Sequence, residues 1–126
     1  MRSITGFLIL MIVILALGVS SLFYILSVTN NLSNNFKKLE IYINGEEWDQ
    51  AYKIFKIIEK DWEKANSFFP ILVDHANLHD LNITVTRISS LLKLKNKKEL
   101  LPQISIAQKL SREIYHQEKF SFKNIF

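Results

Sequence analysis

The chain has 126 residues, 48% of them hydrophobic, and a net charge of +4. That is room for one small domain, with too much apolar content for a disordered segment. It has no cysteine, which excludes disulfides, thiolate metal sites, a cysteine nucleophile and a lipoprotein-type acyl anchor, and its 16 Lys and Arg residues set against 12 Asp and Glu are too small an excess to indicate nucleic acid.

The first element is a membrane segment. From Ile4 to Val28 the sequence is ITGFLILMIVILALGVSSLFYILSV, and no charged side chain occurs between Arg2 and Lys37. About 25 helical residues reach roughly 37 Å, enough to cross a hydrocarbon core of about 30 Å. A cleaved signal peptide is the competing reading, with Ala16-Leu17-Gly18 as the cleavage site. The apolar run outlasts a usual signal core and continues through Leu22, Phe23, Ile25 and Leu26, which favours an uncleaved signal anchor over residues 1–28. Arg2 lies close to the apolar run, whereas Lys37 and Lys38 are well past it. That asymmetry places the amino terminus inside and the remaining domain on the extracytoplasmic side of the cell membrane, as a single-pass protein.

Residues 29–45 form a juxtamembrane helix or a hinge. Leu32, Phe36, Leu39 and Ile43 fall on one helical stripe, but Asn30, Asn31, Asn34 and Asn35 are weak helix formers. The rest, 46–126, reads as an all-α bundle: an amino-terminal transmembrane helix followed by a small antiparallel bundle of three to four helices. Asn44 and Glu47 have the spacing of a capping box that opens the next helix. That helix carries Trp48, Ala51, Phe55, Ile58, Trp62, Ala65, Phe69 and Leu72 at alternating spacings of three and four, a seam facing other helices. Ser67 to Pro70 reads as a turn in which Ser67 caps the following helix, or as a kink at Pro70.

The third helix runs to about Leu94. One stripe of it is apolar, with Ile71, Leu78, Leu81, Val85, Ile88 and Leu92. A second stripe, polar and nearly uncharged, holds His75, His79, Asn82, Thr86, Ser89 and Lys93. So few charges suggest a central helix touching several neighbours. Asn96 and Glu99 form a second capping pattern. The last helix presents Leu100, Ile104, Ala107, Leu110, Ile114 and Tyr115, with Pro102 in its first turns, and the chain closes on FSFKNIF.

Chemistry is sparse. His75 and His79, four residues apart between Asp74 and Asp80, can share a metal ion, but a site needs three or four ligands. His116 lies level with His75 across the last hairpin, on the face turned away from it. The competing readings for the pair are hydrogen-bonded surface histidines and a partner surface along the whole stripe from His75 to Lys93. The basic turn Lys93–Lys98 suits either solvent or an anionic surface. No glycine-rich phosphate loop and no nucleophile elbow occurs, so no catalytic residue, cofactor or small-molecule substrate is identifiable, and the sequence reads as a non-enzyme. Two apolar clusters, Phe68-Phe69-Pro70-Ile71 and Phe120 to Phe126, should meet at the membrane end of the bundle, against each other or against the bilayer.

The amino-terminal anchor, Trp48 and Trp62 on one helix, Asp74-His75 and the closing FSFKNIF together resemble domain-of-unknown-function family 4363, small membrane-anchored Firmicute proteins. The resemblance extends over the whole length. It implies a membrane location and an accessory role beside a multi-pass membrane protein, and no activity or site residues. The resulting expectation is an accessory or sensor module without catalysis, with metal binding at His75 and His79, or anionic-surface binding through the lysines, as alternatives.

Overall fold

The structure is a computed structural model that describes residues 2–69 and 75–125, without the side chains of His75, Ser121, Phe122 and Ile125. The fold is all-α. Helix α1 spans Arg2–Asn44, α2 Trp48–Asn66, α3 His75–Lys93 and α4 Lys97–Ile125.

Helix α1 has 43 residues, roughly 64 Å at 1.5 Å each, and its two ends live in different surroundings. Every residue from Arg2 to Gly18 is exposed, whereas Ile25, Thr29, Leu32, Phe36, Leu39 and Ile43 are buried. The helix is uninterrupted through residue 28 and past the asparagines. Asn30, Asn31 and Asn34 point to solvent, and the buried stripe outweighs their weak propensity, because each fully buried Leu, Ile or Phe contributes about 1.5–3 kcal/mol. Thr29 sits in the core with its hydroxyl donating to the Ile25 carbonyl at 2.8 Å, so its burial leaves no unpaired donor.

The helices run up, down, up and down. The α1–α4 seam is the most extensive, followed by α3–α4 and α1–α2, while α2 and α3 barely meet. Helix α3 is therefore not the central one that its low charge suggested. It leans on α4, the element shared by the two most extensive seams. Charge depletion marks which faces avoid water, not how many neighbours cover them. The apolar stripes are buried as read: Ala51, Phe55, Ile58, Trp62, Ala65 and Phe69 near and along α2, Leu78, Leu81, Val85, Ile88 and Leu92 on α3, and Leu100, Ile104, Ala107 and Ile114 on α4. Trp48, Leu110 and Tyr115, read as members of the same stripes, are only partly buried. Leu72, Ile71 and the choice between turn and kink at Pro70 lie outside the described residues.

The two tight turns share one design. At the end of α1, the Glu47 amide donates to the Tyr42 carbonyl at 2.8 Å and the Glu46 amide to Ile43 at 3.0 Å. At the end of α3, Asn96 donates to Leu91 and Lys95 to Leu92, both at 3.1 Å. These are Schellman pairs, and the left-handed residue is Glu46 (φ 54°) in one and Lys95 (φ 52°) in the other. In each turn the next residue starts the following helix: the Glu47 carbonyl accepts from Ala51, and that of Asn96 from Leu100. Asn44 is consequently the last residue of α1 and does not cap α2, whose first residue is Trp48 and whose cap position, Glu47, makes no side-chain capping bond. Asn96 does cap α4, accepting from the Glu99 amide at 3.3 Å. Ser67 closes α2, donating its hydroxyl to the Glu63 carbonyl at 3.3 Å, and whether it also caps the helix that follows falls outside the described residues.

Polar ties set the levels of the helices. Gln108 on α4 donates to Glu40 on α1 at 2.9 Å, Tyr52 on α2 to the Leu92 carbonyl on α3 at 3.0 Å, and Asn77 on α3 to Gln117 on α4 at 2.8 Å. Lys97 reaches across the top, donating to the Asn44 carbonyl at 3.0 Å with Glu46 at 3.7 Å. It thus satisfies a carbonyl at the negative end of α1.

Candidate functional site

Because α2 and α3 barely touch, an open groove of about 570 Å³ runs between them. One wall is α2, with Glu59, Trp62, Glu63 and Asn66. The other is α3, with Asn82, Val85, Thr86, Ser89, Ser90 and Lys93. Four members of the polar stripe on α3, Asn82, Thr86, Ser89 and Lys93, therefore share this groove. His79 lies lower on the same helix and is exposed. The backbone of His75 opens α3, and its side chain lies outside the described residues.

The floor of the groove is a short chain of polar contacts. The Trp62 indole N–H donates to Asn82 Oδ1 at 2.6 Å, and Asn82 Nδ2 faces Asn66 Oδ1 at a longer 3.4 Å. Trp62 is almost wholly buried, with 4% exposure, so its one donor requires such a partner. This bond joins the two helices across the gap where apolar packing is thin. Thr86 donates its hydroxyl to the Asn82 carbonyl one turn back on its own helix at 2.9 Å. Among the described residues, Glu59, Glu63 and Lys93 form no ion pair, so both signs of charge are available at the rim.

The α2 wall was not legible beforehand. Glu59, Glu63 and Asn66 look like any solvated flank beside a seam. The one available signal was Trp62, a seam residue whose indole needs an acceptor from a neighbouring helix.

The other candidates are placed as follows. His116 is exposed, on the outer side of α4 as expected, with its ring edge-on to Tyr115 at 5.5 Å. Among the described residues no group of three or more His, Cys, Asp or Glu is positioned to hold a metal ion. Of the lysines in the turn, Lys93, Lys95 and Lys98 are exposed, while Lys97 is engaged in joining α4 to the end of α1. Glu118 on α4 is held above the usual carboxylate range by partial burial.

The model of the domain-of-unknown-function family DUF4363 matches residues 19–125. The chain belongs to that family. The comparisons found no match among curated proteins and none among solved structures. The DUF4363 match opens at Val19, the first half-buried residue of α1. The matched stretch therefore covers the bundle of this chain, and the bare apolar rod lies ahead of it.

Proposed function

We propose that this DUF4363 chain is a single-pass membrane protein whose bundle serves, without catalysis, as an accessory or sensing module for a multi-pass membrane partner held in the α2–α3 groove. The observation that carries the reading is the contrast along α1. Ile4, Phe7, Leu8, Ile9, Leu10, Ile12 and Ile14 are each more than half exposed, on a helix that is long and apolar enough to cross a membrane. Water is a poor environment for such a rod, and a bilayer a good one. The carboxy-terminal part of the same helix is the bundle's spine, so the anchor and the folded unit are one element. Continuity of the helix through Ala16-Leu17-Gly18 argues for an intact anchor instead of a trimmed leader. Arg2 ahead of the rod favours the bundle on the extracytoplasmic side.

Binding in place of chemistry is supported by what lines the groove. Its floor is an indole and two side-chain amides bonded in a short chain, beside the hydroxyls of Thr86, Ser89 and Ser90, an arrangement suited to polar recognition of a protein surface. Two measurements test the proposal together. The chain should stay with membranes through alkaline carbonate extraction, and a photo-cross-linker at Ser89 in the groove should give one defined adduct in native membranes, while the same group at exposed Ile57 should not. Recovery of a shortened, freely soluble product, or equal labelling from both positions, would overturn it.

A further inference from the structure

We infer that the bundle does not stand off from the bilayer on its anchor but is seated in the lipid head-group layer, through an aromatic and lysine collar formed by Phe23, Phe68, Phe120, Lys119 and Lys123. This rests on the anchoring proposed above and adds where the folded unit sits.

The first support is a length mismatch. The bare part of α1 from the first apolar residue, Ile4, to Gly18 has 15 residues, read from the exposed run in the sequence, or roughly 22 Å. A hydrocarbon core is about 30 Å thick. Crossing it consumes the residues up to about Phe23, and the next residue, Tyr24, already meets Phe68 and Phe69 of the bundle. The base of the bundle is thus drawn to the edge of the hydrocarbon.

The second support is what the base presents there. Phe68, at the foot of α2, is 55% exposed and lies edge-on to Tyr24 at 6.1 Å, beside the fully buried Phe69, which meets the same tyrosine at 6.1 Å. The foot of α2 is therefore level with Tyr24. On the other flank, the bond between Gln108 and Glu40 sets the antiparallel register. Equal steps along both helices from that bond bring Lys123 level with Ile25 and Phe120 level with Val28. Phe120 is 65% exposed and Phe23 67%. Beside Phe120 a shallow depression of about 450 Å³ is edged by His116, Lys119 and Lys123. Exposed phenylalanines on α1, at the foot of α2 and on α4 thus sit within about 8 Å of the same level. Aromatic rings at that depth and lysines whose stems lie along apolar surface are the residues that head-group layers favour.

The chain has no cysteine, so single reporters can be placed at will. The test uses the full chain in vesicles of phosphatidylcholine and phosphatidylglycerol, with an environment-sensitive fluorophore on Leu8→Cys, Phe68→Cys, Lys119→Cys, Phe120→Cys or Leu94→Cys. The quenchers are lipids brominated near the glycerol end and iodide in the water. Leu8 reports the anchor, Leu94 in the far turn reports bulk water, and exposed Lys119 guards against a misfolded phenylalanine variant. Expected is quenching by the brominated lipid at positions 68, 119 and 120, with iodide quenching several-fold below that at position 94. If those positions match 94 while position 8 stays in lipid, the bundle stands clear of the head groups, and the seating fails though the anchor holds. If position 8 is open to iodide, the anchor fails and the seating with it. If positions 68, 119 and 120 are shielded from iodide and untouched by brominated lipid, protein covers the base and the seating is wrong.

Discussion

The α1–α4 seam and the α2–α3 seam solve opposite problems with the same secondary structure. Along the first, Phe36, Leu39 and Ile43 on α1 and Leu100, Ile104 and Ala107 on α4 belong to one core and have no exposed surface. Its fully buried polar members are hydroxyls turned back on their own helix, as Thr29 to Ile25 and Ser111 to Ala107, and Gln108 bonds Glu40 at its margin. Across the second, apolar contact is thin and the links are polar, Trp62 to Asn82, Asn82 to Asn66 and Tyr52 to the Leu92 carbonyl, with a groove between the helices. The first seam holds the bundle together. The second leaves polar surface on a rigid frame, the kind of surface that a partner helix or loop can use.

That contrast breaks most visibly at the strong seam. Phe36→Ala should lower the unfolding free energy by about 3–5 kcal/mol, measured by urea melts of the full chain in detergent; a change within about 0.5 kcal/mol would mean that the seam is not the main support. Asn82→Ala removes the acceptor for the Trp62 indole and should cost about 1–3 kcal/mol. Trp62→Phe in the same background removes the orphaned donor, so the double variant should recover part of that loss.

Glu118 provides a pH test. Partial burial raises its pKa in the folded chain, so the folded state holds its proton to higher pH than the unfolded state. Below the ordinary glutamate range both are protonated and this group has no effect. As pH rises from that range through the raised value, stability falls and then levels off. Glu118→Gln should abolish that small decline, giving equal melting temperatures to the parent in acid and a higher one at neutral pH. Lys95→Gly relieves a left-handed lysine and should stabilise by up to about 1 kcal/mol. Thr86→Ala in the open groove should move stability by no more than about 0.5 kcal/mol, which separates a binding surface from a structural one.

Where large apolar residues recur at three and four, the sequence was readable. The seam of α2, the stripe of α3 and the run from Leu100 to Ile114 all turn inward. Asn96 was readable too, because an Asn three residues before Glu99 has few other uses at a helix start. The end of α1 was not. Asn44 and Gly45 carry the residue types of a stop and a start, yet the left-handed position falls on Glu46, whose side chain does not advertise it. A helical wheel also gives faces without neighbours, and so it put α3 at the centre and missed the α2 half of the groove.

The unbroken course of α1 has a mechanical consequence. With no swivel between the spine and the rod, the compass direction of the groove is locked to the rod's own face. An extra residue inserted near Gly18 would turn the bundle by about 100° and lift it by about 1.5 Å. Any rotation that a neighbouring protein imposes on the rod would sweep the groove through the same angle, as a key turns its bit.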